Sequence, residues 1–475
     1  MSSTLQQSTQ RWKTQCIYQI LTDRFAFSDE DHPKAPSTGR MYLGGTWRGI
    51  ARKLDYIQEL GCTAVWISPI VKNIEDVTGY GQGYHGYWAQ DLLDVNPHFG
   101  TKQDLIDLVQ QLHDRNMLCM VDIVVNHMAH AGSGEIDYSK YRPFNSEADY
   151  HPRRYVQNYD DTVDCETGWL GDDTVGLMDI RTEEPRIQAF FQDWIRDLVE
   201  TYHFDGLRID TIKHVHREFY PPFIEASKVF TFGEVFHGDP RYVGDYLQYM
   251  PSSINYPLYY QIRKAFAQLP RISMKEFYDK AILEARAYIP DTTVLGNFIE
   301  NHDVPRILGM TSDSSLLLNA LVALIYLDGI PIVFQGQEQM FVGGDDPENR
   351  NALWSSHYDT THFMFNVLSK MIHVRQSLIQ KFPDFCNTLS NCLYLDNHNY
   401  VFERPGCIVC LCNGGSNSNF KFPVNVPVEQ GTVARFMDIW TEEIFDASPS
   451  SPSTLNLIVD AGLPKVLVQP SSILR

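Results

Sequence analysis

Short apolar runs alternate with amphipathic segments along the first 385 residues of the chain. Seven runs are rich in β-branched and aromatic residues, as buried strands are, and begin at residues 16 (CIYQIL), 63 (TAVWISPI), 118 (LCMVDIVV), 206 (GLRID), 229 (VFTFGEVF), 293 (TVLGNFIE) and 331 (PIVFQGQE). Between them, TWRGIARKLDYIQELG and TKQDLIDLVQQLHDRN have the spacing of amphipathic helices. This alternation predicts a parallel sheet with crossover helices, and the number of strands indicates an eight-stranded (β/α)8 TIM barrel with insertions. We place the missing strand near SSINYP, at residue 252.

Two segments depart from this alternation. Residues 127–180 are rich in Asp, Tyr, Gly and Asn and have little periodicity, which predicts an irregular insertion between the third strand and its helix. From residue 386 onward, short alternating strands are separated by turn residues, which predicts a C-terminal antiparallel β-sandwich. The stretch SPSSPS at 448–453 is typical of a loop. The expected organisation is an α/β barrel of residues 1–126 and 181–385, an insertion of residues 127–180, and a β-sandwich domain of residues 386–475.

The net charge of the chain argues against some classes of binding partner. The 475-residue chain has a formal net charge of −20, which argues against binding to nucleic acid or to an anionic membrane surface. A neutral substrate is compatible with this charge, and we expect a monomer. No run reaches the roughly 18 apolar residues of a membrane span, and the N-terminal MSSTLQQSTQRWKTQ lacks the apolar core of a signal peptide.

The cysteine pattern indicates reduced thiols. The chain has nine cysteines, and Cys16, Cys62 and Cys119 lie in or beside apolar strand-like runs. The stretch CIVCLC at 407–412 suggests a metal site at first, but it lacks a second ligand pair at zinc-finger spacing and is typical of a strand. We therefore expect core thiols and a cytoplasmic location.

The run GLRID places two charges in an apolar strand. Side chains two residues apart share one face of a strand, so Arg208 and Asp210 point the same way while Leu207 and Ile209 point the other way. A structural ion pair is one explanation, and a functional pair is the other.

Further carboxylates follow other predicted strands. Asp210 ends one strand, Glu234 ends the next, and Glu300 and Asp303 follow a third. The earlier VDIVVNHM adds Asp122, Asn126 and His127. In such barrels the chemistry lies where strands end, so these side chains are expected to meet at one rim, although each alone is explained as a cap or a solvated loop residue.

Paired carboxyl groups at one rim suit glycoside hydrolysis. That reaction needs one ionised carboxylate that attacks the sugar and one protonated carboxyl group that releases the leaving oxygen. Arg208 is expected to hold Asp210 ionised, because a guanidinium stays charged at neutral pH. Partial burial is expected to raise the pKa of Glu234 and keep it protonated.

Four stretches together resemble a known family. VDIVVNHM, GLRIDTIKHV, FGEVF and FIENHD resemble, in order and spacing, the four signature regions of the alpha-amylase family of glycoside hydrolases. CIYQILTDRF and GYHGYWAQD also fit that family, and the similarity to fungal alpha-amylases extends from about residue 12 to residue 470. The chain looks most like the intracellular branch, because the disulfide cysteines of secreted members are mostly replaced. Arg40 stands where secreted relatives tend to have glutamine.

The resemblance implies roles for individual residues. Asp210 would be the nucleophile, Glu234 the general acid and base, and Asp303 the stabiliser of the transition state. The implied substrate contacts are Arg208, His127 and His302 around the sugar at the cleavage point, Tyr87 stacked beneath it with His85 and Trp88 in support, Lys213 and His214 on the leaving-group side, and Asp346 and Arg350 on the donor side. A structural calcium ion would be held by Asn126, Glu166, Asp179 and the backbone carbonyl of His214, oxygen ligands that suit calcium. The alternative for Glu166 and Asp179 is that both are loop acids without a metal.

Three functions are compatible with these residues. The first is retaining endo-hydrolysis of alpha-1,4-glucosidic bonds in starch-like glucans or maltooligosaccharides. The second is 4-alpha-glucanotransferase activity, in which a sugar hydroxyl replaces water. The third is a catalytically silent amylase-like interaction protein, which the intact set Asp210, Glu234 and Asp303 argues against.

Overall fold

Eight parallel strands form a barrel in the computed structural model, which describes residues 2–29, 37–427, 435–447 and 453–470. In chain order they are β1 (Ile17–Ile20), β2 (Ala64–Ile67), β3 (Leu118–Ile123), β4 (Gly206–Ile209), β5 (Phe230–Gly233), β6 (Ser252–Ser253), β7 (Gly296–Asn297) and β8 (Ile330–Phe334). The spatial order is β6-β5-β4-β3-β2-β1-β8-β7. A parallel bridge between Ile254 and Gly296 joins β6 to β7 and closes the barrel. The predicted fold class is confirmed, and SSINYP contains the missing strand.

Helices surround the barrel and follow the predicted alternation. They are α1 (Ser3–Lys13), α2 (Trp47–Arg52), α3 (Leu54–Leu60), α4 (Lys102–Asp114), α5 (Thr162–Thr167), α6 (Pro185–Tyr202), α7 (Tyr220–Ser227), α8 (Pro240–Tyr246), α9 (Tyr256–Phe266), α10 (Met274–Phe277), α11 (Glu284–Tyr288), α12 (Ser314–Tyr326) and α13 (Phe363–Lys381), with a π-helical turn at Tyr278–Leu283. The stretch at 46–61, predicted as one helical segment, forms α2 and α3, because the backbone leaves the helical conformation at Lys53.

The barrel interior is apolar at its amino-terminal end. Trp12 of α1 is fully buried there, and its indole Nε1 donates to the carbonyl oxygen of Asp205. A Cβ atom on Gly206 would lie 2.7 Å from the Trp12 ring, so the first position of β4 requires glycine. This packing closes the amino-terminal end of the barrel and leaves the carboxyl ends of the strands for the site.

Two excursions leave the barrel near its carboxyl end. After β3, the strands His127–Ala131, Leu170–Gly171 and Val175–Asp179 form a small antiparallel sheet beside α5. After β2, the strands Val71–Asn73 and Ala89–Val95 form an antiparallel pair. The sequence analysis expected the first excursion and did not predict the second, because Val71–Asn73 is too short to give a strand pattern.

The C-terminal region contains antiparallel sheets. Its strands are β9 (Asn391–Leu395), β10 (Asn399–Arg404), β11 (Cys407–Cys412), β12 (Phe420–Asn425), β13 (Arg435–Asp438), β14 (Ile444–Asp446), β15 (Thr454–Val459) and β16 (Lys465–Val468). Six of them form a sheet of order β9-β10-β11-β16-β13-β14, and β12 pairs with β15. Apolar side chains of both sheets share one buried cluster, as in a sandwich. Residues 448–452 of the predicted SPSSPS loop lie outside the described residues.

The cysteines are free thiols, and eight of the nine are buried, with Cys392 partly exposed. Strand β11 contains CIVCLC, as the sequence predicted. The described residues include no helix that is long and apolar enough to span a membrane.

Candidate active site

The carboxyl ends of the barrel strands open into a cleft of about 620 Å³. Asp210 after β4, Glu234 after β5 and Asp303 beyond β7 all line it. The predicted substrate contacts other than Arg208 line the same cleft: Tyr87, His85, Trp88, His127, Lys213, His214, His302, Asp346 and Arg350. The cleft also contains Arg40 and several residues to which the sequence analysis gave no role: Tyr80, Tyr84, Leu170, Leu177, Thr211 and Phe236.

Arg208 lies beneath the cleft and contacts three carboxyl groups. Its Nη1 is 2.6 Å from Asp210 Oδ1 and 3.0 Å from Asp122 Oδ1, and its Nη2 is 2.8 Å from Glu234 Oε1. Asp122 and Arg208 are paired in register on the neighbouring parallel strands β3 and β4, so their side chains share one face. One guanidinium therefore holds the carboxyl groups of three adjacent strands together.

Burial has the largest effect on the pKa values of these acids. It raises the pKa of Glu234 to about 7, although Arg208 acts in the opposite direction. Burial also raises the pKa of Asp210; Arg208 lowers it, and the nearby Asp303 raises it further. The expectation that Arg208 holds Asp210 ionised was therefore incomplete, because desolvation outweighs the ion pair. Burial by itself lowers the pKa of Arg208, but Asp122 and Glu234 raise it well above the ordinary value, so the guanidinium stays charged.

Asp122 supports the floor of the cleft. Its Oδ2 accepts hydrogen bonds from the indole Nε1 of Trp66 at 3.1 Å and from the hydroxyl of Tyr87 at 2.8 Å. Burial raises the pKa of Asp122 to about 7, and Arg208 lowers it. The sequence analysis noticed this acid at a strand end but gave it no role. The available signal in the sequence was that Asp122, like Arg208, is a charged residue within an apolar strand-like run.

His302 links the stacking tyrosine to Asp303. Its Nε2 lies 2.8 Å from the Tyr87 hydroxyl and 3.1 Å from Asp303 Oδ2, and the His302 and Tyr87 rings stack at 5.3 Å. The amide of Gln19 donates to His302 Nδ1 at 2.9 Å, so Nε2 carries the proton. Burial lowers the pKa of His302 well below its ordinary value, which keeps the ring neutral.

His127 and His85 flank Tyr87 on its other sides. His127 Nε2 lies 3.1 Å from the Tyr87 carbonyl oxygen, and burial lowers the pKa of His127 to about 4. His85 Nδ1 accepts from the Tyr87 backbone N–H at 3.1 Å, and its ring meets the Trp88 ring edge-on at 4.8 Å. The contacts with His127 and His85 fix the Tyr87 backbone, and the Tyr87 ring lines the cleft.

The two ends of the cleft carry different groups. At one end, Arg350 Nη1 lies 3.2 Å from Asp346 Oδ1 and its Nη2 lies 3.6 Å from Asp303 Oδ1. Asp346 also accepts from the Tyr84 hydroxyl at 2.9 Å and pairs with Arg40 Nε at 3.2 Å. At the other end, Lys213 Nζ lies 5.3 Å from the centre of the Tyr159 ring.

Comparison with known proteins identifies the family to which the chain belongs. The family model described as alpha amylase, catalytic domain, matches residues 19–382. The chain belongs to the alpha-amylase family. The sequence resemblance is therefore confirmed, and the chain is a glycoside hydrolase of this family.

Relatives of the chain cover nearly its whole length. An uncharacterized glycosyl hydrolase of Schizosaccharomyces pombe is 61% identical over 96% of this chain and 93% of its own length. Alpha-amylase 2 of Schwanniomyces occidentalis is 42% identical over 97% of this chain and 91% of its own. A solved alpha-amylase from Malbranchea cinnamomea superposes with a TM-score of 0.93 and 38% identity, covering 98% of both chains. The alpha-amylase fold thus extends through the described C-terminal sheets.

Three of the four predicted calcium ligands of this alpha-amylase-family chain, Asn126, Asp179 and the His214 carbonyl oxygen, meet where β3 ends, whereas Glu166 makes no direct contact with them in the described residues. One end of the Asn126 side-chain amide lies 2.8 Å from the carbonyl oxygen of His214 and 3.2 Å from Asp179 Oδ1, and the other end lies 3.1 Å from His127 Nδ1. Burial raises the pKa of Asp179 to about 7, His151 lowers it, and the charges of Glu183 and of Glu166 in α5 raise it further. His151 Nδ1 lies 2.6 Å from the other Asp179 oxygen, Oδ2.

The orientation of the Asn126 amide tests whether these residues fit a cation. Neutral His127 must carry its proton on Nε2 to donate to the Tyr87 carbonyl oxygen, so its Nδ1 accepts a hydrogen bond from the amide nitrogen of Asn126. The amide oxygen then faces two further oxygens, which repel it unless a cation lies among them. Among the described residues no three His, Cys, Asp or Glu side chains gather as a metal site, but this set uses an amide and a backbone carbonyl. The residues fit an oxygen-liganded cation.

Proposed function

We propose that the chain hydrolyses alpha-1,4-glucosidic bonds within starch-like glucans or maltooligosaccharides, with retention of configuration. The observation that carries this proposal is the single guanidinium of Arg208, bound to Asp210 through Nη1 and to Glu234 through Nη2 at the floor of the cleft. The shared partner keeps the two carboxyl groups close, and a retaining mechanism needs a separation of about 5–5.5 Å.

In the first step, Glu234 acts as the acid and Asp210 as the nucleophile. A carboxyl oxygen of Asp210 forms a bond to the anomeric carbon while the bond from that carbon to the leaving oxygen breaks, and the proton of Glu234 passes to the leaving oxygen. The raised pKa of Glu234, about 7, supports a protonated acid at neutral pH. Asp303, beside neutral His302, would stabilise the positive charge that develops on the sugar ring.

In the second step, water releases the sugar. The Glu234 carboxylate takes a proton from water, the water oxygen bonds to the anomeric carbon, and the ester bond to Asp210 breaks. Two displacements on opposite faces restore the alpha configuration.

The remaining cleft residues would hold the glucan. The Tyr87 ring offers a stacking surface, and the His127 and His302 rings, both neutral through burial, line the cleft beside it. Asp346 and Arg350 would contact donor-side sugars, and Lys213 and His214 would contact leaving-group sugars. We further propose that the protein acts on glucan as a monomer in the cytoplasm.

We also propose that Asn126, Glu166, Asp179 and the carbonyl oxygen of His214 hold a calcium ion. The converging oxygens of Asn126, Asp179 and His214 support this ligand set. When bound, the ion would supply a charge that offsets their mutual repulsion and joins the end of β3 to the insertion.

Product analysis tests the proposed reaction. At low millimolar maltohexaose, the early products are expected to be shorter than the substrate, and NMR of the newly formed ends should give the alpha configuration. Dominance of products longer than maltohexaose would instead establish a glucanotransferase. Absence of any product, with the glucan still bound, would establish a silent binding protein.

A further inference from the structure

The hydroxyl of Tyr256 lies against the proposed acid. It donates to Glu234 Oε1 at 3.2 Å, and the ring is fully buried beneath the cleft. The same oxygen binds Arg208 Nη2 at 2.8 Å, while the backbone N–H of Thr211 donates to the other oxygen, Glu234 Oε2, at 3.0 Å. Two hydrogen-bond donors and one guanidinium thus converge on one carboxyl group.

We propose that Tyr256 is a positioning residue that, together with Arg208 and the Thr211 N–H, restricts the transferable proton of Glu234 to Oε2. The inference rests on the proposed function, because it assigns the atom that delivers the proton to the leaving oxygen. Neither the family match nor the relatives' names assign a role to Tyr256.

The groups around each oxygen lead to this assignment. Glu234 Oε1 accepts a hydrogen bond from Tyr256 and lies 2.8 Å from the positively charged guanidinium of Arg208. A proton on Oε1 would be repelled by the Arg208 charge and would compete with the Tyr256 hydrogen bond, so Oε1 acts as the carbonyl oxygen of the neutral acid. Oε2 uses one position for the Thr211 N–H and keeps the other, which is where the proton is bound.

The fold holds the Tyr256 hydroxyl in this orientation. Tyr256 begins α9, where the Asn255 side chain caps the helix by accepting from the Leu258 N–H at 3.1 Å. Its ring packs edge-on against Phe298 at 5.0 Å and lies 4.4 Å from the Phe236 ring. Asn301 Nδ2 donates to the Tyr256 oxygen at 3.4 Å, so the hydroxyl's own proton is left for Glu234.

Thr211 supplies its N–H from a strained backbone. Its φ of 45° and ψ of 42° lie in the left-handed region, which a β-branched residue rarely adopts. This turn directly follows Asp210, so one local conformation positions both the nucleophile and the donor to the acid.

The assignment predicts a dependence on the leaving group. During bond cleavage the proton moves from Oε2 to the glycosidic oxygen, and Oε1 and Oε2 become a carboxylate that Arg208, Tyr256 and the Thr211 N–H stabilise. A sugar is a poor leaving group and needs this proton, whereas a chloronitrophenolate leaves without it. Loss of the Tyr256 hydroxyl should therefore slow glucan cleavage and leave aryl glycoside cleavage nearly unchanged.

The test compares Tyr256→Phe with Tyr259→Phe on two substrates. Tyr259 is a matched control, because it is also buried in α9, and its hydroxyl accepts from Arg263 rather than contacting the acid. We expect kcat/KM of Tyr256→Phe to fall at least about tenfold on maltohexaose and by less than about threefold on 2-chloro-4-nitrophenyl maltotrioside. Tyr259→Phe should differ little from the unsubstituted enzyme on both, and thermal melting should verify that both variants fold.

An equal loss of kcat/KM on both substrates would overturn the inference, because it would assign Tyr256 to packing or substrate binding. Unchanged activity on both substrates would overturn it as well. If the unsubstituted enzyme cleaved neither substrate, the proposed function itself would be wrong.

Discussion

Arg208 is nearly completely buried and contacts the carboxyl groups of Asp122, Asp210 and Glu234. One positive charge cannot balance three buried negative charges in a medium of low dielectric constant, so part of this set must be neutral. The pKa directions agree: burial raises the pKa values of Asp122 and Glu234 to about 7 and raises that of Asp210. The same desolvation that prepares an acid for catalysis thus reduces the stability of the folded chain.

Replacing Asp210 tests the nucleophile. Asp210→Asn keeps the shape of the side chain but cannot form the glycosyl ester, so we expect kcat on maltohexaose to fall by at least about four orders of magnitude. Glucan binding, measured by calorimetry, should persist. Asp193→Asn, at a 72% exposed site on α6, should retain full activity. More than a few per cent of residual activity in Asp210→Asn would refute the assignment.

Glu234→Gln is expected to change stability in a pH-dependent way. The pKa of Glu234 is raised from 4.5 to about 7, so the folded protein binds this proton more tightly than the unfolded chain does. The contribution of Glu234 to the free energy of unfolding therefore falls as pH rises from about 4.5 to about 7, by up to about 3 kcal/mol. Glutamine does not ionise, so the variant should melt a few degrees above the unsubstituted protein at pH 8.

Near pH 5 the two proteins should melt at similar temperatures, because Glu234 is then protonated in the folded state. Melting curves from pH 5 to pH 8 in one buffer series measure the difference directly. A difference in melting temperature that does not vary with pH would contradict the raised pKa of Glu234.

At the scale of elements, strand length decided what the sequence could predict. Strands β1 to β5 and β8 have four to six residues each and were found from apolar runs. Strands β6 and β7 have only two residues each; β7 was found within the apolar run TVLGNFIE, and β6 was placed as the missing eighth strand. The antiparallel pair Val71–Asn73 and Ala89–Val95 was missed, although it flanks the segment that holds Tyr87 in the cleft.

The insertion after β3 gives a testable prediction about calcium. A metal ion bound only by the folded state stabilises that state by mass action. Removing calcium with EGTA should therefore lower the melting temperature, and adding calcium back in excess should restore it. The response should be absent in Asp179→Asn, which loses a charged ligand, and retained in Asp193→Asn.

Elemental analysis of the purified protein provides an independent measurement. About one calcium per chain is expected before chelation and none afterwards. A melting curve that excess EGTA does not change, together with no calcium by elemental analysis, would show that Glu166 and Asp179 are loop acids without a metal.

At the scale of the whole molecule, the sequence predicted which residues line the cleft better than it predicted their contacts. Residues at strand ends must meet at one rim once a parallel barrel is assumed, so Asp210, Glu234 and Asp303 were predictable. The contact between Tyr87 and His302 spans 215 residues and depends on how the loops close over the barrel. The roles of Tyr84 and Tyr256 were missed for the same reason, because their hydrogen bonds to Asp346 and Glu234 join separate elements of the chain.

The cysteines give the last prediction, because their reactivity depends on the fold of the whole chain. Eight of the nine thiols are buried, and burial raises the pKa of several of them, including the partly exposed Cys392. A thiol reacts as the thiolate, so the native protein should react slowly with a disulfide reagent and mainly at Cys392. In denaturant, titration should find most of the nine thiols, as expected for a protein from a reducing compartment. Fewer than about half of them free, with stability lost on reduction, would contradict the predicted cytoplasmic location.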